Sequence, residues 1–186
     1  MSRNYFKLSV TLVAFLLSGS ALIAQKKVTT SAVINFDATT GLNPLPKAAN
    51  TAAIGSLDTR TGNIAFEVTI KNFSFANPRM QSDFNGKTWM DSNQFPTSTF
   101  KGRITNLSEI NFKADGKYQA RVEGSLTIHG VTKTISTTAN IVVAGKQIKT
   151  SSQFSLKVKD YNISGPAIGA GKVATDPTVT VSAEFK

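Results

Sequence analysis

YQARVEGSLTIH, from Tyr118 to His129, alternates without a break. Tyr118, Ala120, Val122, Gly124, Leu126 and Ile128 fall on one face of an extended chain; Gln119, Arg121, Glu123, Ser125, Thr127 and His129 fall on the other. A segment with one apolar and one polar face at period two is a half-buried antiparallel strand. The rhythm recurs in Ala32, Ile34, Phe36; in Ile64, Phe66, Val68, Ile70; in Phe100, Gly102, Ile104; in Ile135, Thr137, Ala139, Ile141, Val143; in Phe154, Leu156, Val158; and in Val179, Val181, Ala183, Phe185. Turn formers separate these runs at Thr61-Gly62-Asn63, Asp115-Gly116 and Ala144-Gly145. Short one-faced strands repeated about eight times predict an all-β chain, either a closed antiparallel barrel or a sandwich. Even spacing and the lack of a Cys-Trp-Cys framework disfavour an immunoglobulin-type sandwich.

Between Asn72 and Pro96 the alternation stops. Asn77-Pro78 reads as an N-cap followed by proline in the first helical turn, Met80 and Phe84 lie four apart, and Gly86 is a stop, so one short helix is predicted from Pro78 to Asn85. Inserted between two strands, it belongs near a barrel mouth, with Phe73, Phe75, Met80, Phe84, Trp89, Met90 and Phe95 gathered around it. Asn43-Pro44-Leu45-Pro46 is a connecting loop. No repeat, low-complexity block or linker divides the chain.

The first residues carry Arg3 and Lys7, an apolar run from Leu8 to Leu17, and small residues up to Ala24, the layout of a secretory signal peptide with cleavage after Ala24. That apolar core is about half the ~20 residues a spanning helix needs. The expected division is a leader over 1–24 and one barrel domain over 25–186, in a periplasmic or secreted protein. With no cysteine, the domain must rest on its core rather than on disulfides. The formal charge is +10, and removing Arg3 and Lys7 with the leader (10 minus 2) leaves +8. Cations alternating with apolar residues read first as a solvated barrel exterior. Attraction to an anionic membrane surface is the functional alternative. Nucleic-acid binding is disfavoured, because no cluster of Lys and Arg is interleaved with aromatics.

Catalytic constellations are sparse. One histidine and no cysteine leave His129 as the sole centre for a nucleophile system, and a zinc site of usual ligands lacks partners, so no catalytic and no metal-binding residues are expected. His129, beside Gly130 on a polar face, reads as a turn residue. Gly169-Ala170-Gly171-Lys172-Val173-Ala174 matches a loose nucleotide-binding pattern, but Val173 stands where a phosphate loop needs Ser or Thr and no helix pattern follows, so it is read as a flexible loop. Asp91, Asp160 and Asp176 are scattered and read as turn acceptors. Asn72-Phe73-Ser74, Asn106-Leu107-Ser108 and Asn162-Ile163-Ser164 fit the glycosylation sequon, which matters only in a host with that pathway.

Twelve Phe, three Tyr and Trp89 are generous for this length, and many lie on inward faces. An eight-stranded barrel is just wide enough to be filled by side chains or to hold one small ligand. Small inward residues at Gly102, Ala120, Gly124 and Ala139 tilt the balance toward a cavity. WMDSNQFPTSTFKG (Trp89 to Gly102) and EGSLTIHGVTKTI (Glu123 to Ile135), with KVKDYNISGP (Lys157 to Pro166) and VTVSAEF (Val179 to Phe185), resemble the YceI-like family from about Val28 onward. That resemblance implies an eight-stranded lipocalin-like barrel that holds a long isoprenoid lipid, a polyprenyl chain or an isoprenoid quinone, as ligand and not as cofactor. It also implies that His129 is replaceable by Arg, and that some members bridge two chains as a homodimer. The residues expected to line the cavity are Phe36, Phe66, Val68, Ile70, Phe84, Trp89, Met90, Phe100, Ile104, Val122, Leu126, Ile128, Ile135, Phe154 and Leu156. Arg79, Lys87, Asn93 and Gln94 are the candidates for a head group at the mouth. Two alternatives stay open: a filled structural or stress-response barrel acting through its basic surface at a membrane or with a redox partner, and a fatty acid or amide in place of the isoprenoid.

Overall fold

The computed structural model describes residues 26–186, so the expected leader lies outside the described residues. The strands are β1 (Lys26–Asp37), β2 (Lys47–Asp58), β3 (Asn63–Thr69), β4 (Ser74–Phe75), β5 (Thr97–Ile104), β6 (Gly116–Ile128), β7 (Val131–Ala144), β8 (Gln147–Ser155) and β9 (Thr178–Phe185). All neighbours are antiparallel, in the order β1-β9-β8-β7-β6-β5-β3-β2, and β1 pairs back onto β2. Eight strands thus close on themselves, and closure removes the exposed edges an open sheet would carry. The two-residue β4 only flanks the start of β2.

Connections divide the barrel into two unlike ends. At one lie the shorter connections 59–62, 105–115 and 145–146; at the other lie the hairpin tip 129–130 and the long segments 38–46, 70–96 and 156–177. The predicted helix, α1 (Pro78–Asn85), sits at this loop end. The Asn77 side chain accepts a hydrogen bond from the Arg79 N–H at 2.9 Å, Pro78 occupies the first turn, and Gly86 ends the helix. A helical turn, α2 (Pro166–Gly169), leads into the glycine-rich stretch read as a flexible loop. Gly171 then takes φ +68° and the chain passes into β9 rather than into a helix, so the glycine-rich stretch offers no helix N-terminus to a phosphate.

Strand β2 escapes the alternation that reveals the others. Its inward side chains are small or polar (Ala48, Asn50, Ala53, Gly55) until Leu57, while Ile54 points outward and is 52% exposed. The face switches between Asn50 and Ala53, opposite the register shifts in β1. Asn50 is fully buried where β2 parts from β3: its Nδ2 donates to the Thr69 carbonyl at 3.0 Å and its Oδ1 accepts from the Ala52 N–H at 3.0 Å.

The tight turns are fixed by local chemistry. Residues 129 and 130 join β6 to β7 with φ of +49° and +73°, the left-handed pair of a two-residue hairpin. His129 Nδ1 lies 3.1 Å from the Tyr161 carbonyl, to which the ring donates, and its ring meets Phe95 edge-on at 4.6 Å between centroids. At the β2–β3 turn, Asp58 Oδ1 accepts from the N–H groups of Thr61 at 3.1 Å and Arg60 at 2.8 Å. These two bonds, that of Thr61 foremost, hold the Asp58 carboxyl below the usual range. Because the folded value is the lower one, the stability Asp58 supplies is present above about pH 3.9 and is lost as pH falls through the folded value. Asp58→Ala is therefore expected to melt below wild type at about pH 7, with the gap narrowing at about pH 3. Thermal melts at both values check it, and a gap unchanged by acid would refute the assignment.

Candidate functional site: an apolar cavity in the barrel

The inward faces do not meet in the middle. They leave a cavity of about 160 Å³, counted as room for the centres of water-sized spheres. One water requires roughly 10–15 Å³ on that measure, so the space equals on the order of ten waters and exceeds ordinary packing defects. Its walls are almost wholly aliphatic and aromatic. Ser98, Thr99, Thr137, Thr150 and Ser152 are the polar exceptions, and no lining residue is ionisable. A void with such walls stays dry and favours apolar occupants.

Each element contributes a defined part. Leu57 is fully buried, and Phe66 packs against the fully buried Phe185 at 6.2 Å between centroids, forming a floor toward the end with the shorter connections. At the loop end α1 lays Phe84 across the barrel, where its ring contacts Phe75 at 5.0 Å, Phe73 at 5.6 Å and Phe36 at 6.0 Å. Trp89 and Met90, in the segment that leads from α1 to β5, complete that side. The Tyr161 phenol at this end is raised in pKa by burial and then by the neighbouring Asp160, and it stands outside the lining.

Phe36, Phe66, Val68, Ile70, Phe84, Trp89, Met90, Phe100, Ile104, Val122, Leu126, Ile128, Ile135, Phe154 and Leu156 border this one space. Arg79, Lys87, Asn93 and Gln94 do not; all four are exposed, with Asn93 Oδ1 accepting from Lys71 Nζ at 2.8 Å. Met80 is only half-buried and Phe95 packs on His129, so neither joins the lining. Sequence reasoning missed Leu57, because β2 hides its period. It also missed Ile163, which sits in an irregular segment, placed Phe73 only near the mouth, and left the hydroxyl residues out of the lining although Thr137 lies on the inner face of its alternating run.

Two of the small positions expected to leave room do not. The Phe100 ring covers Gly102 and Gly124: an added Cβ would come within 2.6 Å of Phe100 Cζ at the first and 2.8 Å at the second. The two glycines are also register partners, Cα against Cα, and the ring fills the absent side chains. Ala120 and Ala139 do border the open space.

Solved structures share this barrel. A polyisoprenoid-binding domain from Saccharophagus degradans, implicated in plant cell wall breakdown, superposes with a TM-score of 0.74 at 13% identity, covering 88% of this chain and 98% of its own. BcnA of Burkholderia cenocepacia gives 0.68 at 17% identity, covering 83% and 96%. A YceI protein of Campylobacter jejuni gives 0.53 at 16%, covering 100% and 94%. At these identities the likeness is one of fold. No curated protein matches the chain in sequence. The YceI-like domain, however, matches residues 20–185, nearly the whole length, and the chain therefore belongs to the YceI-like family.

Proposed function

We propose that this protein sequesters or carries a long isoprenoid-type lipid, a polyprenyl chain or an isoprenoid quinone, inside its barrel within the cell envelope. The observation that carries the reading is the cavity itself, sizeable, apolar and free of ionisable groups. The Saccharophagus degradans neighbour is a polyisoprenoid-binding domain, which supports the same ligand class here. The leader-like layout of residues 1–24 supports export, and a lining whose few hydroxyls have no ionisable residue beside them to act as acid or base supports binding without turnover.

Burial alone supplies sufficient affinity. At ~0.8 kcal/mol per methylene, one five-carbon unit contributes about 4 kcal/mol before ordering costs. Two or three buried units approach the ~8 kcal/mol of a micromolar complex. Native mass spectrometry of the mature protein, followed by organic extraction, tests the reading. A stoichiometric adduct with the mass of a prenylated compound is the expected result. A bare protein that also fails to take up added prenyl lipids would overturn it.

A further inference from the structure

Several of the buried polar side chains among the described residues are paired. Asn50 uses both ends of its amide, as described. Asn106 accepts from the Arg121 N–H at 2.7 Å and donates to the Gln119 carbonyl and to Glu109, each at 2.9 Å. In the cavity wall Thr137 and Ser152 bring their hydroxyls to 3.2 Å, and Ser152 donates to the Thr138 carbonyl at 2.7 Å. Among the described residues, two buried side-chain atoms stand without a partner, Asn85 Oδ1 and Ser98 Oγ. Asn85 is not part of the cavity wall; Ser98 is.

Ser98 is 7% exposed. It is the second residue of β5, paired with Val68 of β3, and it shares the loop-end half of the cavity with Trp89 and Met90. An unpaired hydroxyl in an apolar wall is costly, and it is a cost that a bound partner can remove. The surroundings narrow the chemistry of that partner. With no cation in the lining, a buried carboxylate or phosphate would lie uncompensated, which is far more costly than burying a neutral oxygen. A pure hydrocarbon would leave Ser98 unpaired.

Building on the carrier reading, we propose that Ser98 is the polar anchor of the cavity, and that the preferred ligand is a neutral oxygenated chain. Its hydroxyl, carbonyl or carboxamide pairs with Ser98 Oγ near the loop end, and its apolar tail runs toward the floor at Leu57 and Phe66. Head recognition then lies inside the barrel wall, not among the exposed cations of the rim.

Trp89, the single tryptophan, borders the cavity and supplies a fluorescence readout. The probes are farnesol, its hydrocarbon counterpart farnesene, and farnesyl phosphate, each titrated into the delipidated mature protein. Wild type is expected to bind farnesol about tenfold more tightly than either of the others. Ser98→Ala should lose about tenfold for farnesol while keeping its farnesene affinity, and Ser98→Thr should restore the preference. Circular dichroism melts of the empty variants control for folding; Ser98→Ala should melt no lower than wild type, since it removes an unpaired hydroxyl. Unchanged farnesol binding by Ser98→Ala, or farnesyl phosphate binding equal to that of farnesol in wild type, would overturn the proposal. Failure of wild type to bind any of the three would instead overturn the carrier reading beneath it.

Discussion

Leu126→Arg is expected to abolish lipid retention, lowering affinity by at least about a hundredfold. Leu126 is buried on β6 opposite Lys133 of β7, and its side chain forms part of the cavity wall. A guanidinium there finds no carboxylate, since no lining residue is ionisable, so it draws in water or reaches for the mouth. Either response occupies or wets the space an apolar chain needs. Val68→Arg, on the β3 wall, is the independent counterpart. Leu126→Trp fills the space without charge and should reduce capacity while leaving the fold intact. Lipid extracted from the purified variants, beside circular dichroism to establish folding, is the measurement. A folded Leu126→Arg protein that still carries stoichiometric lipid would show that this face is not the binding wall.

Gly124→Ala should have the largest effect on stability. A Cβ at this position lies 2.5 Å from the Gly102 Cα and 2.5 Å from the Lys101 carbonyl oxygen, both backbone atoms of the neighbouring strand. Backbone in the middle of a paired ladder cannot move aside as a rotamer can, so overpacking reaches the upper end of its usual range, about 3 kcal/mol or more. That is a large fraction of the ~5–15 kcal/mol that holds a domain of ordinary stability together. Gly55 is the informative contrast. There the Cβ meets the Phe66 ring at 2.6 Å, a side chain that can turn away, so Gly55→Ala should be milder and should be relieved by Phe66→Leu. Chemical denaturation of the four proteins separates the cases. Equal losses for Gly124→Ala and Gly55→Ala would show that the β5–β6 ladder yields more readily than its geometry implies.

How far the residues alone lead depends on whether a strand advertises its inner face. β6 does, with Val122, Leu126 and Ile128 inward and charges outward, and β3, β5, β7, β8 and β9 do so nearly as well. That is why the barrel and the cavity-facing positions follow from period two. β2 does not. Its inner positions are Ala, Asn and Gly, its one large aliphatic before Leu57 faces solvent, and the face switches within the strand. The short helix was legible to the residue because Asn77, Pro78 and Gly86 act locally. The space inside was not, because volume depends on where rings from different strands come to rest. Phe100 lies over two glycines that composition marks as vacant, and the opening is left beside Ala120 and Ala139 instead. Ser98 shares the parity of Phe100 and Ile104, so its inward face follows from period two; that its hydroxyl finds no partner does not, because that depends on the neighbouring strands.

Closure of the ring by β1 against β9 joins the two extremes of the described chain, Val33 with Ser182 and Asp37 with Thr178. Such a pairing must close nearly the whole described chain into one loop, and folds dominated by distant pairings take milliseconds to seconds. Until then the inner faces of β1 and β9 stand open to solvent, with two unpaired edges beside them. A lipid already seated on the remaining strands would cover that surface and favour closure, so ligand supply would be felt as refolding yield as well as stability.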